Sequence, residues 1–280
     1  MRRIVSAAVL LGLGLGVLAE EAKDDAAKSS LPFTIDVALD LKTVYVFRGY
    51  KLMDSSDGLI FQPAVQLTLN RIDKAPIGIT PYAGAWFNFS TDPTGYKNWE
   101  NWSETDLNAG VKFDYGKWTL DVLYNQYLYP NGFAGSSGEI GLILGYNDEE
   151  LAKKIGIPFA LNPHLGFYQQ VYDNGDHRAK SYLELGVRPE FKKAFGFEKL
   201  TLAVPVNLGM STDKFYTTAD GGNDFFGYAN AAVELRYQLT EHWFVKTGVE
   251  YDYLMANSVR QANEDSSSLV VGTLGLGCSY

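Results

Sequence analysis

Val270-Val271-Gly272-Thr273-Leu274-Gly275-Leu276-Gly277-Cys278-Ser279-Tyr280 decides how the whole chain is read. Val270, Gly272, Leu274, Leu276, Cys278 and Tyr280 share one parity, carry no charge and close on an aromatic. Successive side chains of a strand point to opposite faces, so this parity is one face of a strand. Earlier stretches repeat it. Leu59, Phe61, Pro63, Val65, Leu67 and Leu69 oppose Gln62, Ala64, Gln66 and Thr68. Leu200, Leu202, Val204, Val206, Leu208 and Met210 oppose Thr201, Ala203, Asn207 and Gly209. Trp243, Val245, Thr247, Val249 and Tyr251 oppose Lys246, Gly248, Glu250 and Asp252. A soluble sheet with such a face needs a second packed layer, and little of the chain is left to build one. A closed barrel with its apolar side in lipid needs none. Lys or Arg at a bilayer midplane costs about 2–4 kcal/mol, which explains a face without charge.

Twelve strands are predicted, at 33–49, 58–70, 77–89, 103–115, 117–129, 138–147, 158–171, 179–191, 199–210, 226–238, 242–254 and 269–280. Each has about the ten residues that a tilted strand needs to cross a bilayer. Connections are short or modest at 115–117, 239–242, 70–76, 148–157 and 192–198. They are longer and polar at 50–57, 90–102, 130–137, 172–178, 211–225 and 255–268. This alternation matches periplasmic turns and extracellular loops, with both termini inside. Asp148–Lys154 is expected to form a short helix within its turn. Pro63, Pro81, Pro163, Pro189 and Pro205 fall inside predicted strands, where each removes a ladder donor, so bulges or strand ends are expected there.

Ahead of the barrel, Met1-Arg2-Arg3, the apolar run Ile4–Leu18 and Val17-Leu18-Ala19 read as a signal peptide, residues 1–19. Residues 20–31 read as a flexible periplasmic leader, and residues 32–280 as one outer-membrane barrel domain. Signal removal takes Arg2 and Arg3 and shifts the net charge from −9 to −11. Such a chain has no electrostatic footprint for nucleic acid. A single cysteine, Cys278, excludes an internal disulfide and any Cys-based zinc site. No cofactor or metal is expected. The loops Asp173–Asp176 and Asp220–Asp224 are rich in oxygen ligands, but their Asn-Gly and Gly-Gly pairs read as ordinary turns.

Outward aromatics fall into two bands, as expected of rings at a lipid–water boundary. Near the periplasmic ends lie Phe33, Tyr115, Trp118, Tyr146, Phe159, Phe191, Tyr237, Trp243 and Tyr280. Near the outer ends lie Phe47, Phe61, Phe89, Tyr124, Phe167 and Tyr253. The inward parity is acidic: Asp36, Asp40, Glu104, Asp106, Asp114, Asp121, Glu139, Glu184, Glu190, Glu234, Glu250 and Asp252. Against these stand Lys42, Arg48, Lys112, Arg188, Arg236 and Lys246. An acid excess favours cations in a pore; the same groups also read as cross-links that plug a narrow barrel. Arg48, at the outer rim of the first strand, and Glu104 and Asp106, near the outer end of the fourth, are the expected constriction or rim residues. Tyr82, Trp86, Tyr127, Tyr168 and Tyr182 are lumen aromatics that fill space or stack on a sugar ring. His164 is predicted to face the lumen, and His177 and His242 lie in a loop and a turn. A serine nucleophile needs a histidine within reach, and Asn162-Pro163-His164-Leu165-Gly166 supplies no local serine.

Tyr45-Val46-Phe47-Arg48-Gly49 resembles the strand-end motif of the TorF-like porin family, exported outer-membrane β-barrels. Tyr124, Tyr127-Leu128-Tyr129-Pro130 and Asn162-Pro163 look like that family too. Two positions depart from the pattern. Thr43-Val44 stand where Ser with a basic or amide residue is usual, and Tyr280 stands where Phe is commoner. The resemblance implies an outer-membrane channel and names no cargo.

The expected function is therefore a porin-like channel for passive diffusion of small hydrophilic solutes, mildly cation-preferring and not an enzyme. Its partners would be outer-membrane lipid, the solutes themselves and the barrel-assembly machinery, which would recognise the strand ending in Tyr280. Two other readings are a closed structural or adhesive barrel working through its loops, and a lipid hydrolase using His164.

Overall fold

A computed structural model describes residues 32–54, 56, 58–91, 101–130, 132, 134–173, 180–217 and 222–280. The signal peptide and leader read from the sequence, His177 and parts of the two Asp/Gly-rich loops lie outside the described residues. β1 (Phe33–Lys42) opens the wall, while β2 (Tyr45–Phe47) and β3 (Tyr50–Met53) form a separate hairpin. The wall resumes with β4 (Ile60–Leu69), its extension β5 (Ile72–Lys74), β6 (Ile77–Ser90), β7 (Trp102–Tyr115), β8 (Trp118–Leu128) and β9 (Ser137–Tyr146). Next come β10 (His164–Asp173), β11 (Ser181–Val187) and its continuation β12 (Glu190–Lys192). β13 (Leu200–Ala203) continues into β14 (Val206–Asp213), followed by β15 (Phe226–Gln238), β16 (Trp243–Leu254) and β17 (Ser268–Ser279). Each interrupted pair counted once, these are twelve antiparallel wall strands. β17 pairs back onto β1, from Asp36 opposite Ser279 to Lys42 opposite Thr273, so the wall closes without an edge. Two short helices lie in connections: α1 (Glu149–Lys154) after β9 and α2 (Asn257–Ala262) after β16.

Side-chain parity sorts the wall into a lipid face and a lumen face. Ile35, Val37 and Leu39 on β1, Leu142 and Leu144 on β9, and Leu274 on β17 stand exposed, while Asp36, Gln66, Asn125 and Glu139 are buried inside. Among the described wall strands, charges off the inward parity occur only at strand tips, at Lys74 and Asp213.

The prolines interrupt the ladder without changing its register. Pro189 separates β11 from β12 and Pro205 separates β13 from β14. Val187 opposite Val206 and Glu190 opposite Ala203 nevertheless belong to one continuous pairing. At Pro63 the β4–β6 pairing lapses and resumes in step, from Phe61 opposite Phe89 to Ala64 opposite Trp86. Pro81 stays in β6 opposite Val111, and Pro163 immediately precedes β10. Bulges lie instead near the outer ends, at Asn88/Phe89, Gln170/Tyr172, Ser181/Tyr182 and Gly209/Met210. A bulge bends and twists its strand, and these four lie towards the end of the wall where the lumen is filled.

The first strand departs from its predicted span of 33–49. It leaves the wall after Lys42, where Thr43 exchanges hydrogen bonds with Gly272 through N–H to O (3.0 Å) and Oγ1 from N–H (2.7 Å). Residues 45–53 then turn into the lumen. Arg48 and Gly49 both have positive φ, +46° and +87°, the backbone of a two-residue turn that matches strand twist. Tyr45, Phe47 and Tyr50 thereby become buried. Phe47 is accordingly not part of an outer aromatic band, because the lumen offers it fuller burial than the rim.

Candidate functional site

Three connections from the end carrying the longer loops fill the outer lumen. The β2–β3 hairpin brings Tyr45, Phe47, Arg48 and Tyr50; the β14–β15 connection brings Phe215 and Tyr216; the β16–β17 connection brings Ala256, Val259 and Asn263. They pack on wall aromatics Trp86, Tyr127, Tyr168, Tyr182 and Tyr228 to make one apolar core. Several polar ends within it are satisfied. Tyr216 Oη donates to the Arg48 carbonyl (3.1 Å), and Asn263 Nδ2 donates to the Gly49 carbonyl (2.7 Å) while its Oδ1 accepts from Lys51 N (2.7 Å). Gly49 is required there: a Cβ would come within 3.1 Å of Val259 and 3.2 Å of Tyr228.

At the hairpin tip the Arg48 guanidinium binds both carboxylate oxygens of Glu139 on β9, at 2.8 and 2.9 Å. Arg48 is only 3 % exposed. The rings of Tyr182, Tyr168, Phe47 and Phe215 surround it, with centroids 4.0, 4.7, 4.8 and 5.1 Å from its Cζ. Tyr127 Oη donates a further hydrogen bond to Glu139 (3.0 Å). A planar fork meeting a carboxylate in two bonds is the strong form of ion pair, and ring faces stabilise the cation further. Arg48 is therefore not a rim residue of the first strand; it is the inner anchor of a stopper.

Glu104 and Asp106 likewise sit behind the hairpin instead of at an open rim. Both are buried, and Glu104 accepts a hydrogen bond from Tyr45 Oη (2.9 Å). Beside and below the stopper lies a cavity of about 320 Å³. Asp40, Glu184, Arg188, Glu234, Arg236, Lys246, Glu250 and Asp252 all line it. Some of these are brought together as pairs: Lys246 with Asp40 (2.8 Å), and Arg188 with Glu234 (2.7 Å) and Glu190 (3.2 Å). Arg236 lies over the Phe244 ring at 3.9 Å. Glu184 accepts from Tyr182 Oη (2.9 Å) and lies 3.6 Å from His164 Nε2. On the other side of the lumen, Lys112 is opposite Asp121, which accepts from Tyr82 Oη (3.0 Å), and Asp36 is fully buried.

Outside, Tyr115 and Trp118 face each other across the β7–β8 turn, and Trp118 packs on Tyr146 with centroids 4.7 Å apart. Phe159 packs on Phe191 (4.7 Å), and Tyr280 stacks on His242 (4.3 Å). Phe33, Tyr237 and Trp243 complete this end of the wall. Towards the other end Phe61 stacks on Phe89 (5.2 Å).

Sequence reading left out Phe215, Tyr216, Val259 and Asn263. The one local signal was an aromatic pair inside a polar loop. Glu139 lies on the lumen parity of β9, and its partner Arg48 comes from a hairpin that strand alternation does not reveal.

Residues 26–224 match a family model described as "Bacterial protein of unknown function (Gcw_chp)". Among solved structures, an outer membrane channel from Pseudomonas putida F1 is similar at 11 % identity and TM-score 0.52, covering 91 % of this chain and 99 % of that one. The translocator domain of the autotransporter NalP from Neisseria meningitidis is similar at 10 % identity and TM-score 0.44, covering 95 % and 94 %. No curated protein matches. The likeness to the Pseudomonas channel is one of fold, an outer-membrane-type barrel. The family match runs from before β1 through β14, hairpin included, and the chain thus belongs to the Gcw_chp family of bacterial proteins of unknown function.

Proposed function

We propose that this barrel is an outer-membrane channel for passive diffusion of small hydrophilic solutes, held closed at rest by the β2–β3 hairpin. One observation carries the reading: apolar packing in the lumen is concentrated at the looped end, with Phe244 its member near the other end, beside a cavity that charged side chains help to line. A barrel serving only as a scaffold gains nothing from keeping such a cavity. The likeness of Tyr45–Gly49 to the TorF-like porins points the same way. Lumen acids outnumber lumen bases, so the flux is mildly cation-preferring. His164 takes no part in hydrolysis on this reading, since its Nε2 has no hydrogen-bond partner, serine or otherwise, among the described residues. The strand ending in Tyr280 serves as the recognition element for the barrel-assembly machinery.

The Arg48–Glu139 lock favours a second reading, a permanently closed barrel acting through its loops. Planar-bilayer recording of refolded protein separates the two. The wild type is expected to open rarely and Arg48→Ala often, with a reversal potential in a salt gradient that favours cations. Silence from both proteins would overturn the channel, and an anion-preferring reversal potential would overturn the selectivity.

A further inference from the structure

Across the cavity wall runs a row of polar side chains on neighbouring strands. Asp252 on β16 is opposite Asn230 on β15, Asn230 is opposite Asn207 on β14, and Asn207 is opposite Gly186 on β11, which is opposite His164 on β10. Gly186 makes the row continuous. A Cβ there would fall 2.2 Å from Asn207 Oδ1 and 2.4 Å from His164 Cε1, so only glycine lets those two side chains lie over β11.

The row presents acceptor atoms that no protein group satisfies. Asp252 is 1 % exposed, and Asn230 and Glu250 adjoin it, yet neither of its carboxylate oxygens accepts a hydrogen bond. Asn207 donates its Nδ2 to Asn230 Oδ1 (3.0 Å), which leaves its own Oδ1 without a partner. His164 Nε2 is also without one. Buried polar atoms are ordinarily hydrogen-bonded, and a carboxylate is costly to leave otherwise. Apart from the imidazole nitrogen, the open atoms of this row are all acceptors, so a group bound by the row must donate.

Charge narrows the class. Lys246 is held by Asp40, Arg188 by Glu190 and Glu234, and Arg48 by Glu139. Glu250 and Asp252 share the cavity with Lys42 and Arg236, with Glu184 further along the wall. Among the described residues no His/Cys/Asp/Glu group has the arrangement to hold a metal ion. Tyr228 and Trp86 line the same cavity, and aromatic rings attract cations. About 320 Å³ suits a small organic molecule.

We infer that the cavity binds a small organic ammonium ion, a protonated primary amine, with Asp252 as its counter-ion and Asn207 accepting a further N–H. This deepens the channel reading by naming a solute class, yet binding is measured apart from conduction.

The test is equilibrium dialysis of refolded full-length protein against radiolabelled putrescine, with 1,4-butanediol, glutarate and calcium chloride as competitors. Saturable putrescine binding is expected, displaced by unlabelled putrescine and not by the three competitors. Asp252→Asn should weaken it at least tenfold, while Glu241→Gln, at an exposed turn, leaves it unchanged. If Asp252→Asn does not refold, judged by heat-modifiable gel mobility, the competition series decides alone. No saturable binding, displacement by butanediol or calcium, or equal weakening by both variants would overturn the assignment. Conduction without binding would remove this site and leave the channel, whereas binding without conduction would remove the channel and leave the site.

Discussion

Arg48 and Glu139 are 91 residues apart in sequence and share two hydrogen bonds, of 2.8 and 2.9 Å, in the middle of a membrane barrel. One sits on a loop and the other on the wall. Their pairing ties the β2–β3 hairpin to the wall inside the outer lumen that it helps to fill.

Removing one partner should cost more than removing both. Arg48→Ala leaves Glu139 buried and uncompensated, a loss of about 3–5 kcal/mol in the stopper's anchoring. Arg48→Met with Glu139→Leu should recover much of it, since apolar replacements of similar volume satisfy the same space. Limited proteolysis within residues 45–53 measures this. Equal cleavage of the single and double variants would contradict it.

Gly49→Ala should loosen the hairpin through backbone strain. A φ of +87° with a Cβ 3.1 Å from Val259 costs an alanine about 1–3 kcal/mol. Hydrogen exchange at Lys51, whose N–H is held by Asn263 Oδ1, should quicken relative to amides of β8.

The two faces of the wall can be read by spin labels. Labels at Leu202 and Leu274 should be reached by oxygen and those at Thr201 and Thr273 by a water-soluble relaxant. Leu274→Lys, near mid-strand on the lipid face, should lower stability by about 2–4 kcal/mol in a urea titration in lipid.

Asp54 lies outside the wall strands. The Lys51 ammonium and the Ser56 hydroxyl and N–H hold its carboxyl below the usual aspartate range. A group whose folded pKa is depressed stabilises the fold above its unfolded value, about 3.9, and that contribution fades as pH falls through the folded value. Carbon-13 titration of Asp54 should show a midpoint below the ordinary one, and Lys51→Met should raise it. An unchanged midpoint in Lys51→Met would remove Lys51 as the cause.

Which features were legible follows the range of the forces behind them. Period-two alternation is local, so Leu200, Leu202 and Val204 declare a lipid face without knowledge of any partner, and Pro205 breaks hydrogen bonds without changing that parity. The path of Tyr45–Tyr50 is not local. Tyr45 and Phe47 alternate as a wall strand would, and only Glu139, Tyr168 and Phe215, brought close by closure, make the inward turn favourable. Asp252 and Asn207 fall on the lumen parity by count alone; that they share a row with Asn230 depends on the register of three strands.

The hairpin springs from β1 and is fastened to β9, five strands away around a ring of twelve, almost diametrically across it. It is a strut as well as a stopper. A tube braced across its diameter resists flattening when the surrounding lipid squeezes it sideways, and a tube whose brace is cut becomes oval. Removing Arg48 should therefore soften the wall as well as loosen the stopper.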